Sequence, residues 1–249
     1  MTAPEWVVLD LGNVIINNDP LMAYVYHMAF EKIREKDNII TFKDILERRL
    51  EIYRSNLTEG IFYKILQNYL SQDEIDDFTR EYTKRAYSDL HFFYPFITGA
   101  KHFIEKLSKA YKLGILANQP SIIKNHLIKH RLYPYFDFIG ISEEIGLRKP
   151  DMRAFEWIID RAGTLPDKIC YIGDTLHNDI IPANSAGLRT ILLRQNVYCK
   201  GYKPEGDLEM LYLEYQDKID NYAIEEAKKL DFYLAITLSY EQILYYLNL

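Results

Sequence analysis

Cysteine is scarce in this chain, with only Cys170 and Cys199 among 249 residues. So sparse a pair supplies no disulfide framework, and the fold has to rest on a packed core. Cys170 lies inside an apolar run, where a thiol behaves as a small, inert hydrophobe. Nowhere do about 18 uninterrupted apolar residues occur, and the first candidate strand begins almost at the start of the sequence. Neither a membrane span nor a signal sequence is therefore expected. A basic surface is missing as well: 30 Lys and Arg stand against 36 Asp and Glu, a net charge of -6. Binding to a phosphate backbone needs concentrated positive charge, and pairs such as Arg48-Arg49 read as solvated helix faces. Internal repeats, heptads and low-complexity segments are absent. Together these absences predict a cytoplasmic protein with no nucleic-acid and no membrane partner.

What the chain does have is apolar content, 48% of its residues, and 21 tyrosines dispersed along it. The tyrosines read as amphipathic core and boundary residues. The length suits one large α/β domain with a smaller one inserted. A continuous apolar run at about 5 to 10 predicts a strand buried on both faces of a parallel sheet. Gly12 and Asn13 follow as a tight turn, since both tolerate backbone conformations closed to bulkier residues. From Asp19-Pro20 to Asp89 the spacing is helical, carried by Leu21, Val25, Met28 and Ala29, then Ile45, Leu46, Leu50 and Tyr53, then Ile61, Ile65, Leu66 and Tyr69. Strand and helix alternation resumes at Tyr94, with strands predicted near 112–117, 136–141, 168–173 and 190–193. Residues 195 to 230 fit less well: Gly201, Pro204 and Gly206 suggest a loop, and the stretch after Leu208 looks helical. Leu234-Ala235-Ile236-Thr237-Leu238 reads as a last edge strand. The expected architecture is an α/β fold, a doubly wound parallel Rossmann-like sheet with an inserted all-helical domain. Residues 1–17 and 91–249 form the core, 18–90 the helical insert, and 195–230 an insertion within the core.

Polar groups at the strand tips carry the functional signal. Asp10 ends the first strand, where a side chain faces the ligand crevice of an open parallel sheet. Such an Asp alone also serves as a helix or turn cap. Three further segments follow it: Tyr111-Lys112-Leu113-Gly114-Ile115-Leu116-Ala117-Asn118, a second apolar run ending in polar groups, Arg148-Lys149-Pro150 before a helix, and Ile169-Cys170-Tyr171-Ile172-Gly173-Asp174, another strand ending in carboxylate. In that order and at those separations the set resembles the four motifs of the haloacid dehalogenase-like hydrolase superfamily, most of whose members are magnesium-dependent phosphatases. Asp10-Leu11-Gly12-Asn13 resembles the branch with Gly where most relatives carry a second Asp. The likeness spans about residues 5 to 193.

The resemblance implies a mechanism. Asp10 occupies the position of the nucleophile that attacks phosphorus and becomes an aspartyl-phosphate. Lys149 matches the lysine that pairs with that carboxylate and with phosphate, and Asn118 the amide that donates to phosphate oxygens. Mg2+ is the implied cofactor, held by Asp10, the Gly12 main-chain carbonyl and Asp174, with Asp179 supporting it through water or from behind. The insert at 18–90 corresponds to a cap over the site. Plainer roles stand beside these: a helix N-cap for Asp179, a solvated loop for Lys149, the surface for His177, and a helix core for Tyr24, Tyr26 and His27.

Two departures from the pattern bear on rate. Gly12 removes the usual general acid and base, a kind of help worth about 10²–10⁴-fold. Ala117 replaces the usual Ser or Thr and removes one hydroxyl donor. The sequence thus predicts a magnesium-dependent phosphatase of a small phosphorylated metabolite. A metal-independent haloacid dehalogenase and a phosphate-ligand-binding protein with little turnover are the alternatives. Oligomeric state is not encoded in these motifs.

Overall fold

The structure, a computed structural model, describes residues 3–55, 60–232 and 235–249. After β1 (Trp6–Leu9) come α1 (Asp19–Arg34), α2 (Phe42–Arg54), α3 (Ile61–Leu66), α4 (Gln72–Ser88), α5 (Leu90–Phe93) and α6 (Ala100–Leu107). Next are β2 (Lys112–Ala117), α7 (Ile122–Lys129), β3 (Phe138–Ile141), α8 (Ser142–Ile145), α9 (Met152–Ala162) and β4 (Ile169–Gly173). The chain closes with α10 (Ile181–Ser185), β5 (Arg189–Leu193), α11 (Asp207–Ala227), β6 (Ala235–Thr237) and α12 (Tyr240–Tyr246). The expected last strand is present over 235–237, while its first expected residue, Leu234, lies outside the described residues.

All six strands are parallel and lie in the order β3-β2-β1-β4-β5-β6. The chain starts mid-sheet, steps outward to β3, then returns to the far side of β1. That reversal places a topological switch point between β1 and β4, where the flanking connections diverge and leave a crevice. Trp6 pairs with both Lys112 and Ile169, so β1 is hydrogen-bonded along both edges. It is covered on both faces too: Val7, Val8 and Leu9 are fully buried. A strand in that position tolerates no polar alternation, which is why its sequence reads as an unbroken apolar run.

On one face Trp6, Val8, Leu116 and Tyr171 pack against Phe155 and Ile158 of α9. Each such side chain contributes about 1.5–3 kcal/mol relative to exposure. The spacing of Ala154, Phe155 and Ile158 gives α9 its apolar stripe, and Asp151 starts the helix by accepting from the Arg153 N–H at 2.9 Å.

The chain divides into two compact units, one of residues Met1–Asn17, Phe96–Gln195 and Ala223–Leu249, the other of Asn18–Pro95 and Asn196–Tyr222. The first carries the sheet. In the second, α2 and α4 each begin with a capping box, Thr41 with Asp44 and Ser71 with Glu74. Tyr26 packs edge-on to Phe62, and the Arg49 guanidinium lies 5.1 Å from the Tyr26 ring and 4.8 Å from the Tyr212 ring. Asp19 and Lys200, both buried, pair at 3.1 Å. Residues 195 to 230, expected within the core, group differently: 196–222 cluster with the helical unit and only the rest with the sheet. The helical pattern was visible in the sequence, but an apolar stripe does not say which neighbour covers it. Among the described residues no helix is long and apolar enough to cross a membrane.

Candidate active site

Backbone pairing fixes where the polar residues meet. The Asp10 N–H donates to the Ile172 carbonyl at 2.9 Å, extending the β1–β4 ladder by one residue, so Asp10 leaves the sheet beside Gly173-Asp174. Its Oδ1 accepts from the Leu11 N–H at 2.7 Å. A tight turn follows, with Asn13 in the left-handed region at φ 53° and its N–H donating to the Ile16 carbonyl at 2.7 Å. Gly12 lies in that turn, bridged to Ile16. The Asn13 side chain donates to Asp174 Oδ2 at 3.2 Å, tying the β1 turn to the tip of β4.

Lys149 joins the carboxylates. Its Nζ lies 2.9 Å from Asp10 Oδ1 as an ion pair and donates to Asp179 Oδ1 at 2.5 Å and to the Tyr171 hydroxyl at 3.0 Å, so the ammonium has three oxygen partners. Lys149 is 2% exposed, whereas Arg148 beside it faces solvent. A solvated loop lysine is therefore ruled out. Asn118 clamps the same residue: its Nδ2 donates to the Lys149 carbonyl at 2.7 Å and its Oδ1 accepts the Lys149 N–H at 2.9 Å. The amide expected to face phosphate thus has one proton and its oxygen committed to the main chain of Lys149, and only its second N–H is left for a ligand.

Asp179 is likewise more engaged than expected. One oxygen accepts from Lys149 and from the Tyr171 hydroxyl, the other from the Thr175 N–H and hydroxyl. It does not cap the following helix. It lies within a wide π-type turn at Leu176–Ile180 and reaches back to Thr175. Gly173 makes this approach feasible, because a Cβ there would lie 2.4 Å from the Asp179 Cβ and 2.6 Å from its Cγ. His177, expected at the surface, is half-buried, and Tyr26 is buried within its own unit, as the plainer expectation for it had it.

Asp10, Asp174 and Asp179 each bring a carboxylate oxygen within 4.8 Å of the others, and all three are buried. Burial pushes the Asp10 carboxyl up to about 7; Lys149 opposes the shift, while Asp179 and Asp174 add to it. Burial acts against Asp179 too, but Lys149 and the Thr175 donors hold its carboxyl below the usual range. Lys149 stays charged, because Asp10 and Asp179 outweigh its own desolvation.

This donor set fits a hard divalent cation. Three buried carboxylates face one ammonium, which leaves the cluster short of positive charge, and the atoms they offer a cation are all oxygen. Both Asp179 oxygens accept from protein donors, two each, so that carboxylate is the most heavily engaged of the three.

Sequence reasoning missed Tyr171, Thr175 and the side-chain role of Asn13. Tyr171 offered one signal: it is the only residue of Ile169–Gly173 with a hydroxyl, and a buried tyrosine hydroxyl needs a partner.

Residues 7–193 match the family model of the haloacid dehalogenase-like hydrolases. The glyceraldehyde 3-phosphate phosphatase of Methanothermobacter thermautotrophicus is 32% identical over 104 residues, 41% of this chain and 46% of that protein. The pyrimidine 5'-nucleotidase YjjG of Escherichia coli is 34% identical over 100 residues, 39% of this chain and 44% of that protein. The chain spans about half the length of the curated relatives it matches first. Among solved structures, the HAD-hydrolase YfnB of Bacillus subtilis, bound to magnesium, superposes with a TM-score of 0.61 at 18% identity and covers 100% of both chains. That likeness is one of fold.

Proposed function

The chain belongs to the haloacid dehalogenase-like hydrolases, and from that premise we propose that it is a cytoplasmic, magnesium-dependent phosphatase of a small phosphorylated metabolite. One observation supports this most: Lys149 Nζ stands 2.9 Å from Asp10 Oδ1 in a buried acidic cluster at the carboxyl end of the central strands. Asp10 is the nucleophile. Lys149 opposes the burial that raises the Asp10 carboxyl, favouring its charged, attacking form, and offsets negative charge on the transferring group. Asp179 and Asn118 act through Lys149, one on its ammonium and one on its main chain. Asp10, Asp174 and the Gly12 carbonyl are the residues that would hold Mg2+, which supplies charge neutralisation between an anionic nucleophile and a phosphate dianion. The helical insert at 18–90 corresponds to the cap domain of the family, the part expected to select the substrate. The names of the relatives point the same way, since each describes a phosphatase or nucleotidase of a small phosphate ester.

Gly12 has no side chain to protonate a leaving group, so the enzyme suits esters whose leaving group needs little help, such as sugar 1-phosphates. Purified protein is expected to hydrolyse aryl phosphates with added Mg2+ and to lose at least about 10³-fold in rate on chelation, restored by Mg2+. Rates are expected to fall steeply as the leaving-group pKa rises. Hydrolysis indifferent to chelator and confined to carbon–halogen substrates would favour the dehalogenase alternative. Tight binding of phosphorylated ligands without turnover would favour the binding-protein alternative.

A further inference from the structure

Behind the acidic cluster, on the strand that ends at Gly173 just before Asp174 and with no role assigned from the sequence, stands the Tyr171 side chain. It is fully buried on β4, edge-on to the Phe155 ring with centroids 5.5 Å apart, so the ring is packed within the core. Its hydroxyl accepts from Lys149 Nζ at 3.0 Å and lies 2.9 Å from Asp179 Oδ1 and 3.3 Å from the Leu116 carbonyl. A phenol has one proton. Because Lys149 donates to the phenol oxygen, that proton goes outward, and Asp179 Oδ1 is the nearer, charged acceptor. The hydroxyl therefore links Lys149 to Asp179 while its ring is anchored in the core of the sheet.

We propose that Tyr171 is a positioning residue for phosphoryl transfer: its hydroxyl is the third acceptor of the Lys149 ammonium and holds that group on Asp10. The inference rests on the phosphatase reading for its kinetic consequence, though its geometric content stands apart from it. An ammonium has three protons in a roughly tetrahedral arrangement. With only the two carboxylates as acceptors it can rotate about its Cε–Nζ bond and drift toward either. With the phenol oxygen as third partner the orientation is fixed. Fixing matters most where charge develops, in the transition state, so removing the hydroxyl is expected to act on kcat more than on KM.

The test is Tyr171→Phe, which keeps the ring and removes one oxygen. With an aryl phosphate and saturating Mg2+, kcat is expected to fall about 10- to 100-fold with KM nearly unchanged, the scale of one lost hydrogen bond to a charged group. An unchanged kcat, or a loss confined to KM, would overturn the proposal. A second measurement is independent of turnover: proton–nitrogen correlation spectra of wild-type protein carrying 15N-lysine. One protected, slowly exchanging ammonium with cross-relaxation to a tyrosine ring is expected, and its signal should lose protection in Tyr171→Phe. Absence of such a signal in the wild type overturns the proposal, including the case in which the variant fails to fold. Wild-type inactivity on every phosphate ester would sink the phosphatase reading and leave the Tyr171 geometry to be decided by the spectra.

Discussion

Asp10→Asn is expected to lower kcat/KM for phosphate ester hydrolysis by at least about 10⁴-fold, the scale seen when a nucleophile is removed from a site whose other parts remain. The substitution is nearly isosteric, so the loss is chemical. An amide oxygen does not form the acyl-phosphate bond, and the variant keeps an acceptor within reach of Lys149 and Leu11. Stability is expected to move little, within about 1 kcal/mol by urea denaturation. The wild-type carboxylate is costly where it stands, as its upward shift to about 7 shows, so replacing it by a neutral group relieves burial while giving up one ion pair. A variant that retained a tenth of wild-type activity would remove Asp10 from the nucleophile's role.

Lys149→Met is expected to do the reverse, damaging the fold as much as the chemistry. The side chain is 2% exposed and stands 2.9 Å from Asp10 and 2.5 Å from Asp179, so its removal leaves two buried carboxylates facing each other without a cation. Breaking one side of a buried ion pair costs about 3–5 kcal/mol, since the stranded charge keeps its desolvation penalty. Methionine fills the volume and supplies no charge. A lowered urea midpoint together with loss of hydrolysis is the expected outcome. A variant of wild-type stability would show that water, not Lys149, satisfies these carboxylates.

The strands that build the site were legible because burial on both faces leaves a continuous apolar signature, clear in Trp6–Leu9, Lys112–Ala117 and Ile169–Gly173. The polar residue just past each tip then stands at the carboxyl end of the sheet by topology alone, which is why Asp10, Asn118 and Asp174 could be named from the sequence. What each side chain grips could not be read so directly. Asn118 turns to the main chain of a residue 31 positions away, a contact that depends on how the Lys149 loop returns to β2. Asp179 looked like metal support or a helix cap because sequence shows its charge and not the Thr175 and Tyr171 donors that occupy it. Tyr171 was hidden among apolar neighbours, since its ring belongs to the core and only its hydroxyl to the site. The partition of residues 195 to 230 was illegible for a similar reason, as the helical stripe of α11 matches either unit.

The reading of Asp10 as a covalent nucleophile is open to a direct measurement. Protein turning over a 32P-labelled phosphate ester in the presence of Mg2+ is quenched in acid, digested, and the labelled peptide sequenced. Label that is stable in acid, released by hydroxylamine and confined to the peptide carrying Asp10 is the expected result. Turnover with no labelled peptide, or with label on any other residue, would contradict it.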